Sequence, residues 1–174
     1  DSTISGFNRY GMQVTMVLLN SGKGPYSQHL IHPLARGGDC PGYAMNVADA
    51  EGTDYLKAIA AFLGQRYSGQ SGCGQVDNWI IGNEINNQQW NYMGGMNVDQ
   101  YVQEYERAFR VFYTAIRSRN QNDRLFFSID FNWNQGADDK TRYNGKDIVD
   151  KMAERTRVGG VLDWGLAYHP YAIP

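Results

Sequence analysis

Four short, β-rich apolar runs alternate with stretches whose apolar residues recur at intervals of three and four. This alternation restricts the possible folds more than any other property of the chain. The runs are Met12 to Leu19, Trp79 to Gly82, Leu125 to Phe131 and Asp163 to Tyr168. Between the first two, Thr53-Asp54 reads as the cap of a helix with Tyr55, Leu56, Ile59, Phe62, Leu63 and Tyr67 on its buried stripe, stopped by Ser68-Gly69. Asn97, with Gln100 at the N3 position, caps the next helix, whose stripe is Tyr101, Tyr105, Ala108, Phe109, Phe112 and Ile116. A shorter helix around Lys146 to Glu154, carrying Ile148, Val149 and Met152, leads to the last run. The order βαβαβαβ, without a linker or a low-complexity tract, predicts a single α/β domain over 1–174 with a parallel sheet and right-handed crossovers.

Such a sheet is either open and doubly wound or part of a barrel, and the loops separate the two. Those that follow strands (20–52, 85–96, 132–145) are long, while those that follow helices are shorter and plainer. That asymmetry belongs to a scaffold that builds its site at one face, as barrels do. Asn20-Ser21-Gly22-Lys23-Gly24 has the glycines of a phosphate-binding turn, but no helix starts there and Pro25 follows, so it reads as a loop. The expected architecture is therefore an incomplete TIM-barrel segment.

Composition narrows the partners. A net charge of -2 with no dense basic run disfavours nucleic acid and an anionic membrane surface alike. The longest aliphatic run, Met16-Val17-Leu18-Leu19, is far too short to span a bilayer, and no leader-like segment opens the chain. Twelve Tyr, four Trp and twenty Gly, with many amides, suit a polar ligand that carries apolar faces, as a sugar does. Cys40 and Cys73 flank a helix about 20 Å long, so a disulfide would need a loop to fold back, and their spacing is not that of metal ligands. Asp138-Asp139 lacks the oxygen-ligand spacing of a calcium loop and reads as surface charge. Neither a metal nor a cofactor is expected.

The run Trp79-Ile80-Ile81-Gly82 ends in Asn83-Glu84, which sets a carboxylic acid at the carboxyl end of a buried strand, where neighbours and low dielectric tune it. The plain alternative is a glutamate that only begins a solvated loop. Two strands later comes Ala167-Tyr168-His169-Pro170-Tyr171. Asn-Glu closing one strand and His-x-Tyr closing the next but one resemble the clan A glycoside hydrolases, which are (β/α)8 barrels. In that clan the two motifs end the fourth and sixth strands, so the chain would cover about strands three to six.

The resemblance implies a retaining hydrolase of an oligo- or polysaccharide, with Glu84 as general acid/base. It implies that Asn83 bonds the hydroxyl next to the reacting carbon, and that His169 and Tyr171 line the subsite, the clan's tyrosine bonding the nucleophile. Trp133 after the third run and Trp90 in the loop after the second are candidate stacking platforms, each equally readable as a loop anchor. Asn20, at the end of the first run, completes the expected substrate-binding set. The full-length protein is then expected to be secreted, periplasmic or extracellular.

Strand alternation adds that Ile80, Gly82 and Glu84 face inward together with Gly165, Ala167, His169 and Tyr171, while Ile81, Trp164 and Leu166 face the helices. The small inward residues either leave room for a sugar ring or only permit close packing. His29 and His32 are placed at the pocket rim or in solvent. Asp130 is the only other carboxylate placed to work with Glu84, and an inverting pair would need ~6.5 to 9.5 Å between the carboxyls. Asp163 begins its strand and belongs at the opposite end.

A retaining mechanism needs a nucleophile about 5 Å from the acid/base. In the clan it ends the seventh strand, beyond these residues. The expectation is that the remaining strands come from the same longer protein, or less favourably from self-association. A non-catalytic carbohydrate-binding or scaffold barrel is the alternative from a different class.

Overall fold

The computed structural model describes residues 1–135, 137–138 and 140–171. In chain order the elements are α1 (Ser2–Arg9), β1 (Thr15–Leu18), α2 (Ser27–Leu30), a 3-10 turn (Pro33–Ala35), α3 (Ala50–Arg66), β2 (Asn78–Ile81), α4 (Val98–Arg117), β3 (Arg124–Ile129), α5 (Gly145–Val158) and β4 (Trp164–Tyr168). The strands form one sheet in the order β1-β2-β3-β4, and every pairing is parallel.

Alternate strand residues (Met16, Leu18, Trp79, Ile81, Leu125, Phe127, Trp164 and Leu166) join a core with side chains of α3, α4 and α5. α4 packs between α3 and α5. Strands in sequence order with their crossover helices on one face are the wall of a (β/α) barrel, since a doubly wound sheet reverses its order and uses both faces. The other face, the inside of such a wall, leaves Val17 44% exposed. A parallel strand of this kind is normally covered on both sides.

β1 omits Met12 to Val14 at its amino end and Leu19 at its carboxyl end, β3 ends at Ile129 before Asp130 and Phe131, and β2 and β4 match their runs to within one residue, so that each strand hands over to a loop at the carboxyl edge. Those loops are tied to one another by isolated bridges, Tyr43 to Tyr92 and Asn87 to Arg142. At the other edge, Asp163 precedes β4 with its side chain exposed, as its position in the sequence implies. No helix among the described residues is long and apolar enough to cross a membrane.

Helix α4 follows its sequence signals closely. Asn97 Oδ1 accepts the Gln100 N–H at 3.0 Å, and all six residues of the expected stripe are buried. Helix α3 starts earlier than the expected Thr53-Asp54 cap. Asp49 Oδ1 accepts the Gly52 N–H at 2.7 Å, and the Thr53 hydroxyl instead donates back to the Asp49 carbonyl.

The buried line of α3 is Gly52, Leu56, Ala60 and Gly64, whereas Phe62 is 58% exposed under the Arg66 guanidinium. Small residues win that face because α4 comes close: a Cβ on Gly64 would stand 3.1 Å from Ile116 Cα. Helix α5 runs beyond the expected Glu154 to Val158. Both cysteines are unpaired.

Candidate active site

The backbone turns sharply where β2 ends. Gly82 has φ 78° and Glu84 has φ 42°, and Glu84 is the one non-glycine residue with positive φ among the described residues. A left-handed L-residue costs about 1–3 kcal/mol and persists only where its surroundings dictate it. Here they do. The Gly82 N–H donates to Leu18 O at 2.9 Å, the Glu84 N–H to Ser128 Oγ at 2.8 Å and the Ile85 N–H to Ser128 O at 2.9 Å. From the helix side, Tyr105 Oη donates to the Ile81 carbonyl and Tyr101 Oη to the Ile85 carbonyl. Burial pushes both phenols well above the usual tyrosine range, so they stay protonated donors.

This turn corrects the expected alternation. A Cβ on Gly82 would meet Ile85 at 3.0 Å and Tyr105 at 3.7 Å, so Gly82 faces α4 and not the inside. Glu84 nevertheless reaches the inner side, through its own backbone conformation. On β4, the notch left by Gly165 is filled by the Phe126 ring, which leaves no room there for a sugar. Close packing is therefore what that glycine provides.

Glu84 is 5% exposed, and its Oε1 takes both neighbours from the end of β4. Tyr171 Oη donates to it at 2.7 Å, and His169 Nδ1 lies 3.0 Å away. His169 is held in place by its own N–H, which donates to Ile129 O and extends the β3–β4 pairing. The hydrogen bond to Glu84, reinforced by burial and by the charges of Glu84 and Asp130, pushes the Tyr171 hydroxyl up, so it remains the donor. A proton on His169 Nδ1 would make it the donor of this contact, with Oε1 accepting. Oε2 of Glu84 has no hydrogen-bond partner among the described residues. Half-buried Asn83 likewise makes no side-chain hydrogen bond among them.

The other expected residues lie elsewhere. Asn20 is committed to its loop, donating to Leu30 O at 2.9 Å and accepting from the Gly22 N–H. Trp90 is half-buried, and its backbone carbonyl closes on Gly42. Trp133, 40% exposed, stands edge-on to Tyr168, whose place in β4 alternates with the inward His169. His29 stacks on Tyr55 and pairs with Glu51 of α3, an anchor for the loop.

His32 is buried beside Glu104, and desolvation lowers its pKa. It lines a cavity of about 860 Å³ between the Pro33–Ala35 turn and α4. Glu84 does not line that cavity, and it is the chemistry of the carboxylate, not the volume, that marks the site.

Asp130 is buried and fully engaged. Its Oδ1 accepts from Asn86 Nδ2 at 2.6 Å and from the Asn132 N–H at 2.9 Å, and its Oδ2 accepts from Asn132 Nδ2 at 3.0 Å. A carboxylate occupied this way, with the Arg142 guanidinium 3.6 Å from Oδ2, ties the loops together. Asp138 is likewise a loop closure: the Thr141 hydroxyl and the N–H groups of Thr141, Lys140 and Arg142 hold its carboxyl far below the usual range. Asp139 lies outside the described residues.

Ser128, Tyr101 and Tyr105 went unrecognised in the sequence as parts of this site. The one available signal was Ser128 itself, a polar residue within the apolar Leu-Phe-Phe-Ser-Ile run.

DUF5722, described as a family of unknown function, matches the chain over residues 1–174. No curated protein matches it.

Proposed function

We propose, from the premise that the chain belongs to this family of unknown function, that it forms the acid/base part of a retaining glycoside hydrolase, with Glu84 as the group that gives and takes the proton. The observation that carries the reading is the Glu84 carboxyl itself. It is buried at the carboxyl end of a barrel-type strand, with Oε1 held by His169 and Tyr171 and Oε2 without a hydrogen-bond partner among the described residues.

In the first step the proton leaves Oε2 for the glycosidic oxygen while a nucleophilic carboxylate outside these residues attacks the anomeric carbon. In the second, the Glu84 carboxylate takes a proton from the water that displaces the enzyme from the sugar. The unengaged amide of Asn83 suits a hydroxyl of the sugar beside the reacting carbon. The free edges of β1 and β4 are where further strands would pair, supplied by a longer protein or, less favourably, by a second copy, and closure of the wall would cover the exposed inner face of β1.

One feature departs from the resembling clan. There the tyrosine bonds the nucleophile, whereas Tyr171 donates to Glu84. That contact suits the runner-up reading, a carbohydrate-binding or scaffold module without turnover, in which no nucleophile needs the tyrosine.

One variant separates the two readings. In the full-length protein Glu84→Gln should abolish hydrolysis of unactivated glycosides, while aryl glycosides with good leaving groups still form the covalent intermediate. Unchanged hydrolysis in that variant would remove Glu84 from the role, and a wild-type protein that binds oligosaccharide without cleaving it would establish the binding module.

A further inference from the structure

We infer that Ser128 is a positioning residue for Glu84: its hydroxyl oxygen holds the Glu84 backbone in the conformation that aims the carboxyl at His169 and Tyr171. The inference rests on the reading of Glu84 as the reacting carboxyl, and it follows from the path of the chain. Alternation along β2 is lost at Gly82, which faces α4, and Glu84 regains the inner face through its φ of 42°.

The hydroxyls of Tyr105 and Tyr101 bracket this turn by holding the carbonyls of Ile81 and Ile85, on either side of Glu84. The Glu84 N–H itself is held by Ser128 Oγ, which accepts it at 2.8 Å from a fully buried place on β3. The Ser128 carbonyl takes the next N–H, that of Ile85, so one residue grips two successive peptides of the turn. A buried N–H that loses its acceptor is costly, and an L-residue freed from a left-handed conformation relaxes towards the ordinary basins. Without the Ser128 hydroxyl both effects act in one direction. The Asn87 N–H still holds the Glu84 carbonyl at 2.7 Å, but the N–H side of the residue is free, φ relaxes and the carboxyl leaves His169 and Tyr171.

The test is made in the full-length protein with Ser128→Ala, Ser128→Thr and, as the reference for a lost contact, Glu84→Ala. The first readout needs no substrate. It is the ¹⁵N–¹H resonance of His169 Nδ1, which the contact with Glu84 protects from exchange. Ser128→Ala should lose this resonance as Glu84→Ala does, while Ser128→Thr, which keeps an acceptor oxygen, should retain it. The second readout is the split of kinetic constants on a glycoside the wild type hydrolyses: Ser128→Ala should lower kcat by about 100-fold with KM little changed, the scale expected for a displaced reacting group.

A His169 resonance that persists in Ser128→Ala overturns the inference. If the wild type turns over no glycoside, the hydrolase reading fails while the resonance still decides the role of Ser128. Should Ser128→Ala not fold, Ser128→Cys, close in volume but a weaker acceptor, carries the same test, and a resonance of wild-type intensity in it also overturns the inference.

Discussion

Glu84 was legible as a candidate because its signal is local: an apolar run that stops at an amide and an acid. What makes it a site is not local. The atom that holds its N–H comes from Ser128, separated by 44 residues, and its two carboxyl partners come from His169 and Tyr171, separated by 85 and 87. No periodicity reports a single polar atom brought across a sheet. The positive φ of Glu84 was equally hidden, since glutamate is not a residue that announces a left-handed turn.

Another buried acid makes a prediction that needs no substrate. Asp123 accepts from the Trp79 indole N–H at 3.0 Å and from Asn120 Nδ2 at 2.6 Å, and burial pushes its carboxyl up to about 6, with the Asp77 charge adding to the rise against the pull of the Trp79 hydrogen bond. A folded-state value above that of the unfolded chain means that folding favours the protonated form. The contribution is therefore complete below pH ~4, the range of a free aspartate, and is lost as pH rises through about 6. The loss is on the order of 3 kcal/mol. Asp123→Asn, neutral throughout, should flatten the decline in stability between pH 4 and 6 measured by denaturant midpoints, and an unchanged slope would show that Asp123 is not its source.

At the scale of elements, legibility followed how much of an element's reason lies within it. Helix α4 carries its own cap and a wide apolar stripe, so both were read correctly. The buried face of α3 matches its apolar signal only in part: Leu56 is buried and Leu63 and Tyr67 pack against the core, but the small residues on that face answer to neighbours outside the helix, Gly64 to Ile116 of α4 and Gly52 to the Asn46 side chain. Helix α1 was missed altogether. It buries no residue and is held by others: Asn8 exchanges hydrogen bonds with the backbone of Gln75, and Asp1 pairs with Arg66.

The tyrosines of α4 show the reverse limitation. They were recognised as core, but their hydroxyls tie the helix to the turn after β2. Tyr105→Phe keeps the ring against Phe109 and Phe127 and removes only the donor to the Ile81 carbonyl. The expected cost is about 1–2 kcal/mol of unfolding free energy with helix content intact, read from urea denaturation beside circular dichroism. Wild-type stability in that variant would show that the carbonyl finds another partner.

At the scale of the whole molecule, the alternation of runs and helical stretches was enough to specify a parallel sheet, and the long loops after strands were enough to favour a barrel over a doubly wound sheet. Strand order and the one-sided helix layer agree with both. The filling of the inner face was beyond reach, because alternation says which residues face inward and not which neighbour occupies the space: Phe126 takes the notch at Gly165. The hydroxyl ties from α4 have a last consequence, for behaviour under heat. A loop that hangs freely from a scaffold can melt while the scaffold stands, and an enzyme built that way fades before it unfolds. Here the turn bearing Glu84 is pinned to the helix layer on one side and to β3 on the other. Loss of the site and collapse of the core would then be a single cooperative event at one temperature.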